Sequence, residues 1–177
     1  VTKSSGNILY ELDGKNALEL YKKYLGERAD HLPGSALLFP LALHKENITN
    51  YLVRTVLDVN ESDSAMVFAG DIPEGSQVQL MKANFDRLID GAAESAEQGL
   101  STLSSEKAEF ALLISCIGRK LVLGQRIEEE IEVCSSIFGE STILTGFYSH
   151  GEFSPLNDGV GCQLHNQSMT ITTFREA

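Results

Sequence analysis

The segment Cys162-Gln-Leu-His-Asn-Gln-Ser-Met-Thr-Ile-Thr-Thr-Phe174 alternates apolar and polar residues, but the alternation changes phase partway along. Cys162 and Leu164 share one parity, and Met169 and Ile171 have the other. Strand side chains repeat every two residues, so the two pairs cannot face one core on an unbroken strand. The chain must bulge or bend around His165-Asn-Gln-Ser168. Bulges re-aim side chains and often sit beside functional sites.

Working back toward the start, residues 143–149 read as a strand. Residues 120–138 read as a helix with the stripe Leu123, Ile127, Ile131, Cys134 and Phe138, closed by Gly139. Its outer face carries Glu128-Glu-Glu130 and Glu132, which reads as solvated. Residues 110–116 form a strand, and residues 101–107 link it to a helix over 85–100 with Phe85, Leu88, Ile89, Ala92, Ala96 and Leu100 on one side. Residues 51–59, 65–69 and 77–81 alternate across the turns Asn60-Glu-Ser-Asp63 and Pro73-Glu-Gly75, which predicts an antiparallel meander. The apolar run over 36–43 fits a buried strand. At the start, a strand over 7–13 ends in Asp13-Gly14. Asn16-Ala-Leu-Glu19 then has capping-box spacing for a helix carrying Ala17, Leu18, Tyr21, Tyr24 and Leu25 and stopped by Gly26. A further turn is expected at Asn157-Asp-Gly159. The order strand–helix–strands–helix–strand–helix–strands predicts an α+β fold, a mainly antiparallel sheet with about three helices packed on it. Residues 1–177 are read as a single domain.

The 177 residues are 42% hydrophobic and carry a formal net charge of -11. Such acidity repels nucleic acid, which needs a basic footprint, and disfavours an anionic membrane surface. Cys116, Cys134 and Cys162 are odd in number and widely spaced, which is no disulfide framework, and each lies in an apolar stretch. A reducing, cytoplasmic compartment is expected. No apolar run is long enough to span a bilayer. The chain opens on Val1-Thr-Lys-Ser-Ser5 without an initiator methionine, and is read as a fragment of a longer protein.

The Gly-rich phosphate signatures and GxSxG are absent. Cys116-Ile-Gly-Arg119 joins a strand to a helix. It reads either as a thiol activated by a helix start and an arginine, or as a core cysteine with a turn glycine; the core reading is favoured. Tyr148, His150, Glu152, Cys162 and His165 gather ligand-capable groups, but the spacing is not that of a zinc site. The same groups suit a pocket that hydrogen-bonds a small polar ligand. Asn166, Gln167, Ser168 and Thr170 either satisfy the bend's own backbone or contact that ligand. Arg54 interrupts an apolar strand and reads as an exposed edge charge, or as an inward cation awaiting a carboxylate; exposure is favoured.

Gly6-Asn-Ile-Leu-Tyr-Glu-Leu-Asp-Gly-Lys15, Phe68-Ala-Gly-Asp-Ile-Pro-Glu-Gly-Ser76, Ser115-Cys-Ile-Gly-Arg-Lys-Leu-Val-Leu-Gly124, Gly146-Phe-Tyr-Ser-His-Gly-Glu152 and Leu164-His-Asn-Gln-Ser-Met-Thr170 occur in this order. Together they resemble the C-terminal half of FIST proteins (F-box and intracellular signal transduction proteins). The resemblance implies a sensory domain that is not an enzyme. Such a domain binds a small molecule such as an amino acid, follows an N-terminal FIST segment, and biases an attached output module. It also implies an alternative, a structural or dimerisation module of a haem-linked gas sensor. No cofactor is otherwise expected, and haem would fall to His165 or His150. A Cys/His enzyme is the remaining reading. The family pattern highlights Tyr148, Gly151, Glu152, Cys162, His165, Asn166 and Gln167, and Cys116 with Arg119, without assigning which touch ligand; Tyr148, Glu152, His165, Asn166, Gln167, Cys116 and Arg119 are the candidate ligand-binding residues. Ser168 stands where the family often has Thr.

Overall fold

A computed structural model of the protein describes residues 1–44, 51–103, 107–155 and 161–176. The fold is α+β, with mostly antiparallel sheets. The span read above as one domain gathers into two compact units, Val1–Ala83 with Pro155–Asn166, and Asn84–Ser154 with Gln167–Ala177. The expected turn at Asn157-Asp-Gly159 lies outside the described residues.

The first unit opens with strands β1 (Lys3–Ser5), β2 (Ile8–Leu12) and β3 (Lys15–Asn16), then helix α1 (Ala17–Leu25). The Asn16 side chain accepts the Glu19 amide, so the cap expected from the spacing forms. Gly26, at φ 59, ends the helix in a backbone region that favours glycine. Strands β4 (Leu41–His44), β5 (Tyr51–Arg54), β6 (Val56–Asn60), β7 (Ala65–Phe68), β8 (Gln77–Leu80) and β12 (Gln163–His165) complete the unit. One sheet runs β1-β2-β7-β6 with β3 on β2; another runs β5-β4-β8. The predicted meander forms only in part: β6 and β7 pair antiparallel as the expected hairpin across Asn60–Asp63, but the third strand does not join them. The stretch 51–59 is cut at Thr55, where Arg54, Thr55 and Val56 are buried in succession and the alternation fails. Its two halves join different sheets, and β8 pairs with β4 rather than with β7. The expected strand over 36–43 is instead a 3-10 turn at Gly34–Leu38 followed by β4. A short apolar run fits either element by periodicity, and Pro40, lacking an amide, delays the strand. The core packs Leu18, Tyr21 and Leu25 of α1 on Leu9, Met66 and Phe68 of the sheet. Tyr24, expected in that stripe, is 70% exposed.

The second unit comprises α2 (Phe85–Ser101), β9 (Phe110–Cys116), α3 (Ile117–Leu123), α4 (Ile127–Phe138), β10 (Ile143–Ser149), β11 (Glu152–Ser154) and β13 (Met169–Phe174). The predicted helix over 120–138 is two helices. Gly124 adopts φ 56 and closes α3, and a short 3-10 turn restarts the chain as α4. That break rotates the stripe. Glu130, Cys134 and Phe138 are the buried residues of α4, whereas Ile131 is exposed. The three-stranded sheet runs β10-β9-β13, with β10 parallel and β13 antiparallel to β9. Its covered face carries Ala111, Leu113 and Met169, against which Ala92 and Ala96 of α2 and Cys134 of α4 pack. Small residues at these positions let the helices lie close to the strands. The opposite face carries Phe110, Ile143, Phe147 and Phe174; the last three are exposed.

The expected bend is present. The chain leaves the strand conformation at Asn166-Gln-Ser168 between β12 and β13, which join different sheets, and Gln167 takes φ 51. Positive φ in a non-glycine residue reverses the chain locally and accounts for the change of phase.

Candidate functional site

Parallel pairing sets the site in the second unit. β9 and β10 both end at the same edge of their sheet, at Cys116 and Ser149, and α3 begins directly after Cys116. Crevices outside the carboxyl ends of parallel strands are the usual ligand positions in such sheets. Here that end collects Cys116, Tyr148, Ser149, Glu152, Gln167 and Ser168.

Glu152 is 4% exposed. Its two carboxylate oxygens accept from the hydroxyls of Ser149 and Ser168, one each. Among the described residues it forms no ion pair. Burial raises its pKa; the two hydroxyls and then the Arg119 charge pull against that shift, and the Glu130 charge adds to it. The Cys116 thiol is buried and shifted up, chiefly by burial. The amides of Gly118, Gln167 and Arg119 act against this, and the charge of Glu152 adds to it. A thiol so placed is protonated at neutral pH, the opposite of an activated nucleophile. Gly118 is tightly enclosed: a β-carbon there would meet Gln167 Cγ at 3.0 Å and Cys116 Sγ at 3.6 Å. Cys116, Gln167 and Glu152 thus form one cluster.

Arg119 and Tyr148 belong to a second cluster, centred on Glu130. Glu130 is wholly buried and receives Arg119 Nε at 2.6 Å and the Ser115 hydroxyl at 2.9 Å. Arg119 Nη2 donates to the Leu88 carbonyl at 2.6 Å. The acidic run on α4 is therefore not uniformly solvated: Glu130 faces inward, while Glu128 and Glu132 are exposed. Tyr148 is half-buried with Lys120 Nζ 4.8 Å from its ring centroid. Burial, then the Glu130 charge, raises its phenol pKa, and Arg119 opposes this. Tyr148, Ser115 and Thr145 also border a hollow of about 270 Å³, lined mostly by apolar groups such as Leu113, Leu144, Ile131 and Met169.

His165 and Asn166 fall in the first unit. Asn166 is 2% exposed, accepts the Thr55 amide at 3.3 Å and donates to the Ala69 carbonyl at 3.3 Å. It braces backbone, the structural reading of the bend. His165 is half-buried on β12. Cys162 is exposed, which corrects the expectation that all three cysteines are core residues; all three are free. Among the described residues no group of three His, Cys, Asp or Glu gathers as metal ligands.

Arg54 is corrected too: it is 6% exposed, not an outward edge charge. Sequence reasoning also missed Glu130. Its signal was available, since Glu130, Cys134 and Phe138 stand at i, i+4 and i+8. The assumption of one unbroken helix hid it. No helix is long and apolar enough to cross a membrane among the described residues.

The comparisons with known proteins agree with the resemblance. The family described as the FIST C domain matches residues 17–155. The uncharacterized protein MJ1623 of Methanocaldococcus jannaschii is 27% identical over 143 residues, which cover 73% of this chain and 27% of that relative. The chain thus spans about a quarter of the length of the curated relative it matches. No solved structure matches significantly. The family match takes in α1 through β11, and so the chain belongs to the FIST C domain family, which is associated with signal-transduction sensing.

Proposed function

We propose that this chain is the ligand-sensing domain of a cytoplasmic signalling protein and that it receives a small amine-bearing metabolite, of amino-acid type, at the carboxyl end of β9 and β10. The single observation that carries the reading is Glu152: a carboxylate 4% exposed, capped by two hydroxyls and without a cationic partner among the described residues. A buried, unpaired carboxylate costs stability, and such groups concentrate where function requires them. The cation it lacks is the ammonium of the ligand. Binding acts by favouring one conformer over another, which an N-terminal FIST segment and an output module read. The reading calls on no cofactor and no catalysis, and the protonated, enclosed Cys116 supports this.

Thermal-shift screening of amino acids tests the proposal. An amino acid is expected to raise Tm saturably, and Glu152→Gln is expected to weaken its affinity at least tenfold. If no amine-bearing metabolite stabilises either this chain or the longer protein, the proposal fails. The exposed aromatic face of the β10-β9-β13 sheet favours a second reading, a module that pairs with a second copy of itself. A strictly monomeric protein in sedimentation equilibrium overturns that one.

A further inference from the structure

Arg54 ends β5, opposite Leu41 of β4, and its guanidinium turns inward. Nε donates to the Asp71 carbonyl at 2.9 Å. Nη1 donates to the Leu164 carbonyl at 2.9 Å and to the Val53 carbonyl at 3.2 Å. These are neutral acceptors. Among the described residues no carboxylate lies within ion-pair distance of Arg54, and Nη2, which is not fully buried, donates to no acceptor. Arg119, buried to the same degree, has its carboxylate in Glu130. Arg54 has none.

A buried cation without a counter-charge is costly, and arginine does not shed its proton to escape that cost. Local packing nonetheless holds the group in place. A β-carbon on Gly70 would come within 3.1 Å of Nε, 3.2 Å of Cζ and 3.2 Å of Leu164 Cδ2, so the glycine leaves room for the flat guanidinium. On the next residue the Thr55 hydroxyl is buried and without a hydrogen-bond partner among the described residues.

We propose that Arg54 receives a small oxyanion, a carboxylate or a phosphate, through Nη2. The planar fork of arginine suits either group, and a charge-assisted hydrogen bond in so enclosed a place is strong. Asp71 is exposed, and its charge partly offsets the downward shift that burial imposes on the guanidinium. It modulates the site rather than filling it. The inference does not rest on the amine-binding proposal, since the residues of that reading lie in the other unit.

The test uses the full chain, with arginine side-chain NMR of Arg54 Nε–H during separate titrations with acetate and inorganic phosphate. Chloride at matched ionic strength is the control. A saturable shift is expected with at least one oxyanion, and the one that saturates identifies the class. Arg54→Lys keeps the charge but loses the fork, and should weaken binding at least tenfold. If neither oxyanion gives a saturable shift in the wild-type chain, or if both only follow chloride, the proposal is overturned. That result needs no variant to fold.

Discussion

A β-carbon on Gly146 would fall 1.9 Å from the Leu113 carbonyl oxygen and 2.8 Å from its carbon. Both are backbone atoms of the central strand, so no rotamer change relieves the overlap. Gly146→Ala should therefore cost more than about 3 kcal/mol in chemical denaturation, beyond ordinary overpacking. A near-neutral result would mean that β9 and β10 do not approach so closely. The second residue-scale prediction concerns Glu152, whose carboxyl pKa is raised in the folded state. The native state then holds the proton more tightly than the unfolded chain. Its contribution to stability is fully present below the unfolded value of about 4.3 and is lost as pH rises through the raised folded value. Glu152→Gln keeps partners for both serines without the charge. The variant should be more stable than wild type at pH 7, and the gain should vanish near pH 4. Equal stability at both pH values would show that the carboxylate is well solvated. In the sequence Gly146 was only a member of a motif, and Glu152 was a ligand-capable carboxylate whose burial did not show. A close approach of two strands is a fact of pairing, and one sequence does not display it.

At the scale of elements, what was legible was local. The cap at Asn16, the strand β9, the helix α2 and the bend before β13 each follow from a period or a turn residue within a few positions. What was not legible was long-range: which strands pair, and that α3 and α4 are separate. The break at Gly124 matters because it turns Glu130 inward, where Arg119 and Ser115 hold it against β9. This ion pair fastens α4 to α3 and to the sheet. Removing one partner strands the other charge, so Glu130→Ala should cost about 3–5 kcal/mol. Replacing both charges with apolar groups of similar size should recover most of that loss. The double variant Arg119→Met with Glu130→Leu is expected within about 2 kcal/mol of wild type. Strictly additive losses in that cycle would mean the two side chains act independently, contrary to their 2.6 Å separation.

For the whole molecule, the α+β class was readable because it depends only on the order of periodic segments. The division into two units was not, since it reflects the density of distant contacts. Cysteine usage reports on the molecule at this scale, because the three thiols differ in setting while sharing one chemistry. Cys162 is exposed, whereas Cys116 and Cys134 are buried. Burial raises the Cys134 pKa to about 11 and also pushes Cys116 up. The thiolate is the reactive form, so both inner cysteines are slow for two reasons, access and protonation. A chromogenic disulfide reagent at neutral pH should titrate one thiol quickly. The other two should react only as the molecule opens, at rates that rise with denaturant. Cys162→Ser should abolish the fast phase and leave the slow ones intact. A fast phase that survives this substitution and disappears with Cys116→Ser would place an activated thiolate at the start of α3. The proposal of a sensor without catalysis would then give way to the nucleophile reading of Cys116.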